Sequence, residues 1–278
     1  MPNVFGKTKR MSPMSSLTPS VVTHRDPKGL NLMSKIESVY DKAGLDDERA
    51  QRLNESALFT VHLADIIQRF SRKDPDYSLA QSILSADFIT PEEVTKACSG
   101  IVYTAEQIMA LAESLPPLDV LKWCKEKDYA VMPSPPKAMS LLDVREIQSV
   151  HFYVETDGWY AKDKEKFARE DKTSFGWLLI KKTPVGTIRT SQTWKEQTNP
   201  LSRVEMVPNV AEMSWFIMTY FGVRGVRLFK DVYVWTSSLD SDGNRVFVGR
   251  FDSGALVVGR HWGRSGDGHL GLSAARKQ

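Results

Sequence analysis

The sequence is poor in cysteine: 278 residues hold only two, Cys98 and Cys124. Neither belongs to a CxxC pair or to a Cys/His group at ligand spacing, so a disulfide framework and a zinc-finger-type site are both excluded. Each falls in a segment with helical patterning, where a buried free thiol is the expected state. Long apolar runs are missing as well. The most apolar stretch, Met213–Val223, has 11 residues against the roughly 20 that a membrane-spanning helix needs, which marks a buried helix and no span. Lys7, Lys9, Arg10, Arg25 and Lys28 are followed by no apolar core of the secretory kind, and sparse cysteine suits a reducing cytoplasm.

Sequence signatures of chemistry are equally scarce. There is no HExxH, GxSxG or phosphate-binding P-loop, and the five histidines (His24, His62, His151, His261, His269) form no His-x-His. Gly266–Gly271 matches GxGxxG formally, yet a dinucleotide site needs a helix and a distant acid after it, and only Leu272–Gln278 follow. Asp240-Ser-Asp242-Gly-Asn244 begins like a calcium loop but places Arg245 and Phe251 where glycine and glutamate are required, so it reads as a hairpin turn. His261 and His269 flank Asp267 with no nucleophile placed beside them. No metal and no cofactor is implied.

What is present is ordinary globular composition, 41% hydrophobic and 26% charged, enough to bury a core without staples. The charge is uneven. Residues 1–150 carry 18 Lys/Arg against 20 Asp/Glu, a net of −2, and residues 151–278 carry 19 against 14, a net of +5. Residues 1–29 read as a flexible basic arm rich in Ser, Pro and Met. Residues 30–128 read as a helical region. Leu32, Ile36, Val39 and Tyr40 recur in a helix ended by Gly44. Leu53, Ala57, Val61, Ala64, Ile67 and Phe70 then line one face of a long helix over Asp47–Ser71. Further helices are expected over Tyr77–Ala86, after the Thr90-Pro91-Glu92-Glu93 cap, and from Pro116-Pro117 through Trp123. Residues 129–140, with Pro133, Pro135 and Pro136, suit a stiff connector.

Residues 141–278 form an aromatic-rich region holding six of the seven tryptophans. Strands are expected at Val150–Val154, Gly176–Lys181, Val232–Trp235, Arg245–Val248 and Ala255–Val258. Asn209 with Glu212 caps a helix, Val210–Phe221, that is apolar nearly all round and hence buried. The fold class is therefore α+β: a helical bundle followed by an antiparallel sheet packed on one buried helix.

Two clusters could carry function. Arg224, Arg227, Arg245, Arg250, Arg260 and Arg264 interleave with aromatics that include Phe247 and Trp262, a combination that can stack bases and hold phosphates. The same alternation arises in any half-buried meander, aromatics facing the core and arginines the solvent. Asp157, Glu170 and Lys172 resemble the acid, acid-x-lysine set of a metal-dependent nuclease, although their setting is an alternating charge run of the kind that lines solvated faces. The blocks Val226–Phe229, Asp240–Gly243, Val248–Asp252 and Leu270–Lys277 resemble a C-terminal block, about 130 residues long, of uncharacterised bacterial proteins from reduced-genome lineages; this implies a bacterial cytosolic origin and carries over no activity or site residue. The expected function is a non-enzymatic interaction protein. Its helical region would engage a protein partner or self-associate, its C-terminal arginines would contact nucleic acid or an acidic partner, and no membrane is involved; a metal-dependent hydrolase or nuclease is the alternative.

Overall fold

The computed structural model describes residues 23–71, 75–153, 158–185, 192–252, 254–263 and 268–277. Among them are eleven α-helices and two four-stranded sheets, an α+β fold. The chain divides into two compact units, one ending at Asp65 and one beginning at Ile66. The arm expected over residues 1–29 lies outside the described residues up to residue 22.

The first unit is helical. Helix α1 (Pro27–Ala43) opens at Pro27 rather than Leu30, because a proline in the first turn surrenders an N–H that has no intrahelical partner anyway. It closes at Gly44, whose φ of +56° is the left-handed cap conformation. The single helix expected over Asp47–Ser71 is two: α2 (Asp47–Glu55), capped by Asp46 on the Arg49 N–H at 2.8 Å, and α3 (Ala57–Ser71). Between them Ser56 adopts extended backbone, and its hydroxyl accepts the Phe59 N–H at 3.1 Å. A serine inside an apolar pattern can supply its own cap, and here that local bond displaces helix continuity.

The second unit takes in the last residues of α3 from Ile66 and continues with α4 (Ser78–Leu84), α5 (Pro91–Ala97), α6 (Ala105–Glu113) and α7 (Leu118–Glu126). Reciprocal capping boxes start α5 (Thr90 and Glu93) and α6 (Thr104 and Gln107). They recur in α8 (Leu141–Ile147; Ser140 and Asp143), α10 (Trp194–Thr198; Thr193 and Glu196) and α11 (Val210–Arg224; Asn209 and Glu212). Each cap contributes about 1 kcal/mol and fixes where the helix begins. The stretch expected to be a stiff connector instead opens with β1 (Tyr129–Pro133), a fully buried strand. Its prolines are tolerated because Pro133 ends the strand and Pro135 and Pro136 lie beyond it. The strand expected at Val150–Val154 is a 3₁₀ turn over Ser149–His151 followed by a lone bridge from Phe152 to Leu256; residue 154 lies outside the described residues.

The remaining elements are α9 (Phe167–Glu170), β2 (Trp177–Lys181), β3 (Glu205–Met206), β4 (Tyr233–Leu239), β5 (Arg245–Gly249), β6 (Val257–His261), β7 (Leu270–Leu272) and β8 (Ala275–Arg276). The first sheet runs β1-β2-β8-β3 and is antiparallel; Tyr129 lies opposite Lys181 and Pro133 opposite Trp177. The second runs β6-β5-β4-β7. Its β4-β5-β6 meander is antiparallel as expected, while β7 pairs parallel to β4 and makes the sheet mixed. Helix α11 packs against α5 and α8 and against strands of both sheets. It buries ten residues from Val210 to Tyr220, and Trp215 donates its indole N–H to the Pro133 carbonyl at 3.0 Å. One apolar core runs from Tyr77 to Ala275, so α4–α7 and the sheets share it.

Candidate functional site

The arginines expected to face a ligand are mostly bound to the protein itself. Arg224, in the last turn of α11, donates Nε to the Ala86 carbonyl and Nη2 to the Phe88 carbonyl, both at 2.7 Å, and its Nη1 lies 2.6 Å from Glu93. It fastens α11 to the cap of α5. Arg227 stacks over the rings of Phe221 and Phe251, at 4.5 and 4.2 Å from their centroids. Arg245 lies 4.2 Å over the Trp194 ring and donates to the Ser237 carbonyl.

Arg260 is the hub of a charge cluster. Its Nη1 reaches Asp240 at 2.9 Å and Asp242 at 3.2 Å, with Glu165 at 3.9 Å, and its guanidinium stacks on Trp159. Burial pushes the Asp240 carboxyl up, but hydrogen bonds from Asn244 and Arg260 outweigh it and hold the group below its ordinary range. The Asp240–Asn244 segment is a hairpin turn, with Asp240 accepting the backbone N–H groups of Asp242 and Asn244. Glu165, itself buried, accepts from the Ser241 N–H and hydroxyl at 3.0 Å. Charge here is matched inside the fold.

Phe247 is half-buried and packs between Tyr233 and Trp235, with its ring directly over Gly259. Trp262 is exposed, and Arg264 lies outside the described residues. Arg250 is exposed and has no carboxylate within ion-pair distance among the described residues; its Nη1 meets the Tyr233 hydroxyl at 3.5 Å. The stacking partners Trp159 and Trp194 went unrecognised in the sequence, because the contacts join segments far apart along the chain.

Of the nuclease-like set, Asp157 lies outside the described residues. Glu170 ends α9 and is exposed; Lys172 follows it, also exposed, and its carbonyl accepts from the Asn209 side chain. Neither occupies a sheet centre, where such chemistry would gather its carboxylates. His261 directs Nδ1 to the Trp262 carbonyl at 3.0 Å, and Asp267 lies outside the described residues. Cys98 and Cys124 are buried free thiols; burial raises both and pushes Cys124 up to about 12.

A second candidate surface lies in the first unit. Neither α1 nor α2 buries a residue. Leu30, Leu32, Met33, Val39 and Tyr40 on α1 are exposed, as are Leu58, Phe59 and Val61 on α3, with Val39 reaching 67% and Leu58 66%. Ala57, Val61, Ala64 and Ile67, expected to line one helical face, are all exposed. Amphipathic helices are stabilised in water largely by covering their apolar faces, and here eight large apolar side chains on neighbouring stretches of chain are exposed. Comparison with protein-family models, curated proteins and solved structures found no match to this chain.

Proposed function

We propose that the chain is an interaction protein that assembles through its N-terminal helices, with the apolar faces of α1 and α3 covered by a second copy. The observation that carries the reading is the exposure of these faces. The eight side chains offer on the order of 800 Å² of surface, comparable with the roughly 800 Å² per partner of a standard interface. Charge favours a self-partner. Residues 23–71 carry seven Lys/Arg and eight Asp/Glu, close to balance, so two copies meet without strong repulsion. Several of these charges also pair within their own helix, as Arg52 does with Glu48 at 2.6 Å.

A nucleic-acid role for the C-terminal arginines has less behind it, since Arg224 and Arg260 are held in ion pairs and Arg227 and Arg245 stack on internal rings. A hydrolase built on Asp157, Glu170 and Lys172 likewise has less behind it, since Glu170 and Lys172 are exposed at the end of α9 and just beyond it. A bacterial, cytosolic origin belongs to the same proposal. Sedimentation velocity over a concentration series tests it. The full chain should sediment as a dimer or larger, and Val39→Glu with Leu58→Glu should shift it to monomer without lowering its melting temperature. A wild-type monomer at its highest soluble concentration, or assembly unchanged by both substitutions, would refute the reading.

A further inference from the structure

A small cavity opens where the ends of β4, β5 and β7 meet. Strand register builds it. Tyr233 at the start of β4 pairs with Gly249 on one side and with Leu270 on the other. Arg250, one residue past Gly249, and His269, one residue before Leu270, are therefore carried to either side of Val232, the residue before Tyr233. Asp231 completes the lining of a cavity of about 230 Å³. A guanidinium, a phenol, an imidazole and a carboxylate face one volume.

The backbone holding Arg250 there is strained. Arg250 has φ +46°, a left-handed conformation that disfavours a residue with a Cβ. Its N–H donates to the Val232 carbonyl at 2.7 Å, and the preceding Gly249 passes so close to that carbonyl that a Cβ would stand 2.4 Å away. Phe229 nearby shares the positive φ, but its ring is buried and core packing accounts for it. The Arg250 side chain is exposed; its backbone is held by the Val232 hydrogen bond and by the buried Phe251 that follows, and the guanidinium itself is left unpacked at the cavity. This conformation fixes where the side chain leaves the backbone, at the mouth of the cavity it lines.

We propose that this cavity binds a small ligand through an oxyanion group, phosphate or carboxylate, held by Arg250 and the Tyr233 hydroxyl. Guanidinium matches a planar or tetrahedral oxyanion in two parallel hydrogen bonds, and the phenol adds a third donor. The volume lies below the roughly 300 Å³ at which drug-sized ligand sites begin, so the occupant is small or inserts one group. Asp231 lines the same cavity and its charge acts on Arg250, so it neutralises part of the site and repels a second negative charge, which sets the site against extended polyanions. The inference is independent of assembly through the helices.

The test titrates sodium phosphate and sodium acetate into the full chain at constant ionic strength, following calorimetric heat and melting temperature against a chloride control. Saturable binding of either ion supports the proposal; the tighter of the two identifies a phosphate-bearing or a carboxylate-bearing ligand. Arg250→Gly, which relieves the positive φ, should weaken binding at least about tenfold without lowering the melting temperature, and Arg250→Gln should weaken it similarly. If neither ion acts beyond chloride, or both variants bind as the wild type does, the proposal is overturned.

Discussion

Gly259 and Phe247 decide whether the aromatic face of the meander is a ligand platform or packed protein. The two residues are cross-strand neighbours on β6 and β5, and a Cβ at position 259 would stand 2.3 Å from the Phe247 ring. Gly259→Ala leaves two responses. If the ring stays, the overlap strains the sheet by about 1–3 kcal/mol. If it swings out, it forfeits its contacts with Tyr233 at 4.7 Å and Trp235 at 6.5 Å, aromatic pairs worth about 0.5–1.5 kcal/mol beyond burial. Against either stands the roughly 0.5–1 kcal/mol by which alanine is favoured over glycine through chain entropy. The net expectation is a loss of about 1–2 kcal/mol, read as a lower urea midpoint at unchanged slope. In a Phe247→Leu background the overlapping atoms are gone and the same substitution should cost almost nothing, giving a coupling of about 1 kcal/mol in the double-mutant cycle. Additivity of the two changes would show that the ring does not rest on Gly259, and would return Phe247 to the set of side chains available to a ligand.

Arg224→Met should destabilise the fold by about 2–3 kcal/mol in urea unfolding, since it strips donors from the Ala86 and Phe88 carbonyls and leaves Glu93 unpaired. Gly249→Ala should cost more than about 3 kcal/mol, because φ is +140° and the new Cβ would meet the Val232 carbonyl; soluble protein of near wild-type stability would contradict the described β4–β5 contact. His151 has its pKa lowered by burial and by the nearby Arg227 charge, so the folded state binds its proton less readily than the unfolded chain. Its contribution is present above the ordinary imidazole value of about 6.5 and is lost as pH falls below it; His151→Gln should therefore flatten the stability profile between about pH 7.5 and 5. Cys98 and Cys124 should resist a thiol reagent in the native state and react only on unfolding, because the thiolate of each is disfavoured by burial.

Elements specified by local chemistry were legible in the sequence. Thr90-Pro91-Glu92-Glu93 and Asn209 with Glu212 carry their caps within four residues, and both helices begin where those caps place them. Gly44 ends α1 in the left-handed conformation that glycine permits, whereas α11 runs past its expected end at Phe221, through Gly222, and closes only at Gly225. The elements misread are those in which distant partners outweigh local preference. Tyr129–Pro133 looks like a connector because prolines crowd it, yet β2 pairs along its whole length and the Val131 carbonyl accepts the Ile89 N–H at 2.9 Å. Ser56 is the reverse case, a local hydrogen bond overriding a periodic apolar pattern.

The arginine-aromatic interleaving shows why the candidate site was less legible than the fold. Alternation along a strand states which residues share a face but not what lies over that face. Arg245 and Arg260 would look the same in sequence whether their guanidinium planes met a base or the rings of Trp194 and Trp159, which arrive from segments 51 and 101 residues earlier in the chain. Those tryptophans occupy the positions that a stacked ligand would need, and Asp240 supplies the negative charge that a phosphate would bring. Arg250 differs because it stands exposed past the end of its strand, after a glycine that turns the chain. There the Tyr233 hydroxyl, 3.5 Å away, and then the nearby charges of Asp252 and Asp231 raise its pKa without closing an ion pair among the described residues. The stacking of Arg245 on Trp194 and the pairing of Arg260 with Asp240 thus leave Arg250, at the strand end, as the exposed guanidinium that the sheet does not enclose.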